Sequence, residues 1–159
     1  MRADYADLKS RILAVANGET DQIALMATIA CELHYADDRF DWTGFYRVTA
    51  PRMLKIGPYQ GGHGCSTIEF SRGICGRCAT EKQTQIVDDV TKVPYHIACS
   101  STTRSEIVVP VLDGTGAGEL IRLREGGPGD SAGFSIGAAG DVNGDGRSDF
   151  VVGAIDASG

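Results

Sequence analysis

Cysteine sulfur is the atom in this chain whose placement bears most directly on chemistry. Five cysteines are present, at positions 31, 65, 75, 78 and 99. Four of them fall in polar surroundings with glycine or hydroxyl residues: GGHGC ending at Cys65, GICGRC holding Cys75 and Cys78, and YHIACSSTTRSE around Cys99. Buried structural cysteines behave as small hydrophobes and keep company with Val, Leu and Ala. A redox cysteine has to be reachable, and its thiolate has to be favoured by a helix N-terminus, a nearby cation or backbone donors. His96, three residues before Cys99, and Arg104, five after it, could supply that field. Three other readings compete. Cys65, Cys75 and Cys99 could be small core residues of a sheet protein. Cys75-x-x-Cys78 could join Cys65, His63, His96 or Cys99 around zinc, although a structural zinc site usually brings two tight pairs and only one is present. A thioredoxin-like Cys-x-x-Cys requires a strand and a long helix to frame it, and neither flanks this one. Cys31, between Ala30 and Glu32 in a helical pattern, reads as a core residue without a role.

The elements that must position these thiols follow from periodicity. Tyr5, Leu8, Ile12 and Val15 recur at helical spacing, and Ile23, Met26, Ala27, Ala30 and Leu33 do so again after a break at Gly18 and a cap at Thr20. From Trp42 to Val48 the chain alternates, with Trp42, Gly44, Tyr46 and Val48 on one face and Thr43, Phe45 and Arg47 on the other, as a strand requires. Short strands are expected at Met53 to Gly57, Cys65 to Phe70, Gln85 to Val87 and Glu106 to Leu112, separated by Gly57-Pro58, Gly61-Gly62 and Pro94. Gly73 to Lys82 predicts a short helix with Cys75 near its N-terminus. Helices first and strands after them indicate an α+β fold. On residue type alone, Trp42 and Tyr46 read as an aromatic core face and Glu106 as a solvated surface charge.

A net charge of -6 and a pI near 5.0, with no basic cluster, exclude nucleic acid and anionic membrane as expected partners. The longest apolar run, Ile23 to Cys31, is too short to span a bilayer, and the opening MRADYADLKS lacks the apolar core of a signal peptide. A cytoplasmic protein is therefore expected, in which cysteines more often serve catalysis or metal than structural disulfides. Composition shifts near residue 112. The last 48 residues hold 13 of the 21 glycines and -5 of the net charge, from three Arg against eight Asp plus Glu.

The motifs FDWTGFYRV, LKIGPYQG, the cysteine at 65, SRGICG, QIVDDV, HIAC and SEIVVPV, in that order, resemble the free methionine-(R)-sulfoxide reductases. Nine residues lie between Cys65 and Cys75, and 23 between Cys75 and Cys99. The resemblance covers about two thirds of the chain. It implies a GAF fold, an antiparallel sheet with helices packed on it, over residues 1–111. By position it implies that Cys99 attacks the sulfoxide, Cys65 resolves the resulting sulfenic acid as a Cys65–Cys99 disulfide, and Cys75 is a third redox thiol; Cys78 has no counterpart. Trp42 and Tyr46 then become the aromatic pair walling the substrate methyl group, and Glu106 the carboxylate that meets the substrate ammonium or helps protonate the sulfoxide oxygen. Free methionine sulfoxide as substrate, thioredoxin as reductant and no cofactor are implied with them. A homodimer stays open.

The resemblance weakens beyond Val111. Where the family carries two substrate-binding aspartates, this chain reads GAGELIRLREGG, with Arg122 and Arg124 near those positions. Ser100 replaces a usual aspartate and Tyr95 a common glycine. Residues 112–159 resemble instead an FG-GAP repeat, the blade unit of integrin-type β-propellers. Its loop, Asp141-x-Asn143-x-Asp145-Gly146-x-x-Asp149, offers oxygen ligands at alternating positions and implies calcium; an EF-hand is excluded because Val152 stands where a bidentate Glu belongs. The expected architecture is a GAF-like unit whose C-terminal part is replaced by a propeller-blade-like segment. A degenerate GAF module that binds a small molecule, or a calcium-binding fragment, are the alternatives to the reductase.

Overall fold

A computed structural model describes residues 3–112, and the backbone of residues 118–125, 135–140 and 149–153. Two helices open the chain, α1 (Tyr5–Ala16) and α2 (Gln22–His34). The carboxylate of Asp4 accepts the amides of Ala6 and Asp7 at 3.0 and 3.1 Å and so caps α1. Asp21 caps α2, not Thr20, because its carboxylate reaches the Ala24 amide at 2.8 Å. Thr20 and Asp21 instead donate their own amides to Glu19.

Six strands then build one antiparallel sheet: β1 (Phe40–Ala50), β2 (Met53–Gly61), β3 (Thr67–Glu69), β4 (Gln85–Val87), β5 (Ser105–Leu112) and β6 (Gly118–Glu125), in the spatial order β3-β2-β1-β6-β5-β4. Helix α3 (Gly73–Glu81) and a 3₁₀ turn at Val90–Lys92 lie between β3 and β5 in sequence. Strands β7 (Ser135–Gly140) and β8 (Asp149–Gly153) pair as a separate hairpin. The α+β expectation holds, and Gln85–Val87 falls where the pattern placed it.

Two boundaries need correction: the strand expected at Cys65 to Phe70 is confined to Thr67–Glu69, which leaves Cys65 in the preceding loop, and β2 is longer than expected. Gly57-Pro58 does not end β2; the strand runs on to Gly61. Between the pairs Gly44↔Tyr59 and Tyr46↔Ile56 the β2 side carries one extra residue, so the Gly-Pro step is absorbed as a bulge. Pro58 is tolerated there because β3 pairs only with Met53 to Lys55, leaving the far side of β2 unpaired at position 58.

The sheet is covered on both faces. Leu8, Met26, Ala30 and Leu33 from α1 and α2 meet Phe40, Phe45, Ile107 and Val109 on one side. Trp42, Tyr46, Leu54 and Val108 meet Ile68, Ile74, Cys75, Cys78 and Val90 on the other. Alternation along β1 and β5 explains the partition: Trp42 and Tyr46 against Phe45, and Val108 against Ile107 and Val109. A register shift between Phe40 and Trp42 lets Phe40 join the helix side despite its even spacing from Trp42.

Helix α3 sits close to the strand before it. A Cβ at Gly76 would lie 2.4 Å from the Glu69 carbonyl oxygen and 2.9 Å from that of Phe70, and backbone atoms cannot swing aside. Gly76→Ala is therefore expected to cost about 1–3 kcal/mol through overpacking, despite a helix-propensity gain of about 1 kcal/mol. Urea unfolding measures this, and a variant as stable as the parent would show that α3 can shift away.

Candidate functional site

A small cleft lies on the α3 face of the sheet. Ile68, Gly73, Ile74 and Cys75 line one side of it, His96, Ile97 and Cys99 the other, and Glu106 of β5 the sheet side. Cys65 and Cys99 are joined by a disulfide with Cα atoms 5.2 Å apart, across 34 positions of sequence. Their separation suits a disulfide without backbone movement. Cys31, Cys75 and Cys78 take no part in a disulfide.

The segment bearing Cys65 is laid down on aromatic rings. Tyr46 donates its hydroxyl to the Cys65 carbonyl at 2.9 Å. A Cβ at Gly64 would come within 3.0 Å of the Tyr46 Oη and 3.3 Å of Trp42 Cζ2, so glycine permits this approach. Trp42 stacks between Tyr46 and Tyr59, with ring centroids 5.8 and 5.5 Å apart. Trp42 and Tyr46 are fully buried and sit beneath the Cys65 segment, not on the pocket lining.

Two expectations about exposure are corrected. Glu106 is not a solvated charge: only 4% of it is exposed, and it lines the pocket with Cys99. Cys75 does lie at the third residue of α3, but it is 2% exposed and reachable only through the pocket. Neither property is visible in residue type, because both depend on β5 and α3 facing each other. Cys78, one helical turn on, is fully buried and donates its thiol to the Val108 carbonyl at 3.5 Å. Burial, with Cys75 and Glu81 nearby, pushes its pKa up to about 12, which keeps it a protonated core thiol at neutral pH. His96 is on the pocket wall, whereas Arg104 is exposed and contributes its carbonyl, which accepts the Val90 amide at 2.9 Å.

Among the described residues no group of three or more His, Cys, Asp or Glu is placed to hold a metal ion, so the zinc set is not assembled there. Asp141, Asn143 and Asp145 lie outside the described residues, and Asp149 opens β8 as backbone. None of the described helices is long and apolar enough to cross a membrane. Backbone register places Arg124 between Trp42 of β1 and Glu106 of β5, and Arg122 between Gly44 and Val108. The pocket residues Ile68, Ile74 and Ile97 were not singled out from sequence. Ile97, two residues before Cys99, was the one with a local signal.

A six-stranded antiparallel sheet with helices on both faces, and a cysteine pair closing over a pocket on one of them, defines a GAF domain equipped for thiol–disulfide chemistry. No family model matches the chain. The structure of a free methionine-R-sulfoxide reductase from Neisseria meningitidis in complex with its substrate is similar, at 37% identity and a TM-score of 0.72, over 76% of this chain and 72% of that one. The reduced form of fRMsr from Staphylococcus aureus matches with 31% identity and a TM-score of 0.73, over 77% and 79%. In sequence, the free methionine-R-sulfoxide reductase of Saccharomyces cerevisiae is 47% identical over 78 residues, 48% of this chain; the chain spans 43% of that yeast protein. The chain belongs to the free methionine-R-sulfoxide reductase family.

Proposed function

We propose that the chain reduces free L-methionine-(R)-sulfoxide to methionine, and the observation that carries this is the Cys65–Cys99 disulfide at a pocket containing Glu106. Cys99 attacks the sulfoxide sulfur as its oxygen is protonated; methionine leaves and the oxygen stays on Cys99 as a sulfenic acid. The Cys65 thiol then condenses with it, forming the disulfide and water. An external dithiol of the thioredoxin type restores both thiols by exchange and is itself oxidised. Cys75, also on the pocket lining, serves as the auxiliary thiol. Glu106 supplies the proton or meets the substrate ammonium. Trp42 and Tyr46, stacked beneath the Cys65 segment, are the proposed methyl wall. Purified protein with a dithiol should convert the R but not the S sulfoxide of free methionine, and equal turnover of both would sink the assignment.

One observation favours a second reading, a degenerate binding module. Arg124 holds the register position between Trp42 and Glu106. The two readings separate on the reduced protein by alkylation at neutral pH: fast labelling of Cys99 supports the enzyme, and an inert Cys99 supports the binding module.

The proposed division keeps residues 1–111 as the reductase-type GAF unit and 112–159 as an FG-GAP-like segment, with calcium held by Asp141, Asn143, Asp145 and Asp149. Support for the calcium site is the spacing of its oxygen ligands. Calcium titration should release or absorb heat in the parent and not after Asp145→Asn with Asp141→Asn; no heat in the parent removes the site. A cytoplasmic setting and a homodimer are compatible with this function.

A further inference from the structure

The segment from Val93 to Arg104 carries the nucleophile, yet it forms neither helix nor strand. Its internal backbone bonds are local, from His96 to Val93 and from Cys99 to Ile97, at 3.0 and 2.9 Å. Such bonds shape the loop without anchoring it. From inside, Val93 and Ile97 pack on the core between sheet and α3. From outside, two side-chain tethers flank Cys99. Four residues before it, Tyr95 accepts a hydrogen bond from Arg77 Nη1 of α3 at 2.5 Å, and the guanidinium lies over its ring, 5.5 Å from the centroid. Three residues after it, the Thr102 hydroxyl donates to Asp41 at 3.2 Å. Glu81, one turn along α3, accepts from Arg77 Nε at 2.8 Å and fixes its direction.

We propose that Arg77 and Tyr95 form a clasp that holds the Cys99 loop against α3, and that this clasp sets how readily reduced Cys99 closes onto Cys65. The two pocket walls, Gly73 to Cys75 on α3 and His96 to Cys99 on the loop, are joined by it at the surface. With the disulfide intact the loop is held where Arg77 and Tyr95 meet, so the clasp and the bond favour each other. Once the bond is open, the clasp restricts the volume that Cys99 explores, which raises the effective concentration of each thiol for the other. Arg77 and Tyr95 are thus positioning residues that act through Cys99.

The inference rests on Cys65 and Cys99 being an interchanging pair, but its test does not require sulfoxide turnover, so the two can fail separately. Full-length protein is equilibrated with mixtures of reduced and oxidised glutathione, acid-quenched and peptide-mapped for the Cys65–Cys99 bond. In that equilibrium two protein thiols give two electrons to glutathione disulfide, which leaves as two glutathione thiols carrying the protons. Arg77→Ala and Tyr95→Ala should each lower the effective concentration by about fivefold, the scale of an exposed cation–aromatic and hydrogen-bonded pair. The double variant should fall no further than either single one, and Tyr95→Phe, which keeps the ring under the guanidinium, should recover part of the loss. The thermal midpoint of the oxidised form should fall by more than that of the reduced form, because a clasp that favours the disulfide is favoured by it in return. Single-variant changes below about twofold, or additive losses in the double variant, would overturn the clasp.

Discussion

Cys99→Ser is expected to remove turnover of free methionine-(R)-sulfoxide by more than about a thousandfold, the scale seen when a covalent nucleophile is deleted. A serine hydroxyl is a poor nucleophile at neutral pH and can form neither the sulfenic acid nor the disulfide that follows. Cys65→Ser should behave differently. The first methionine should be released at nearly the parent rate, and later turnovers should slow, with dimedone trapping the Cys99 sulfenic acid in competition with the auxiliary thiol of Cys75. Quenched-flow measurement of methionine per chain separates the two cases. Steady turnover by Cys99→Ser would remove Cys99 from the reaction altogether.

Glu106→Gln carries the next largest expectation. Glu106 is almost fully buried beside the pocket, where its carboxyl group can pass a proton to the sulfoxide oxygen as Cys99 attacks. Glutamine keeps the size and the hydrogen-bonding capacity but has no such proton, and removing a general acid usually costs about a hundred- to ten-thousandfold. Single-turnover kinetics with saturating substrate should show that loss in the chemical step, with Glu106→Asp retaining part of the rate. A glutamine variant within about threefold of the parent would leave Glu106 a mere lining residue.

What the sequence disclosed follows from which forces are local. Helical spacing of Leu8, Ile12, Met26 and Leu33 placed α1 and α2 because one apolar stripe per helix suffices to show a buried face. Alternation from Trp42 to Val48 assigned the faces of β1, and Trp42 and Tyr46 do fall in one cluster and Phe45 in the other. Local rules misjudged Gly57-Pro58, since a Gly-Pro step ends most strands and only the missing β3 partner and the bulge make it tolerable here. The pairing of Cys65 with Cys99 came from resemblance, because neither spacing nor residue type selects one pairing among five cysteines. Burial of Glu106 and Cys75 was hidden for another reason. Exposure is set by elements dozens of residues away. The contact of Arg77 with Tyr95 was equally invisible, since both are half-exposed residues of ordinary surface type.

The position of β6 has a bearing on how the molecule is made. Strand β1 is not paired with β5: within the sheet, the trio β3-β2-β1 and the pair β5-β4 are joined by the backbone of Gly118–Glu125. A nascent chain that has emerged as far as Leu112 would hold two half-sheets, each with an unsatisfied row of amides and carbonyls along the edge awaiting β6. Trp42 and Glu106, on opposite sides of that gap, acquire their shared neighbour only when Arg124 arrives. The keystone is thus laid after the residues it must hold together. Until then the exposed edges are open to each other's copies on neighbouring chains, a period in which a holding chaperone has most to protect.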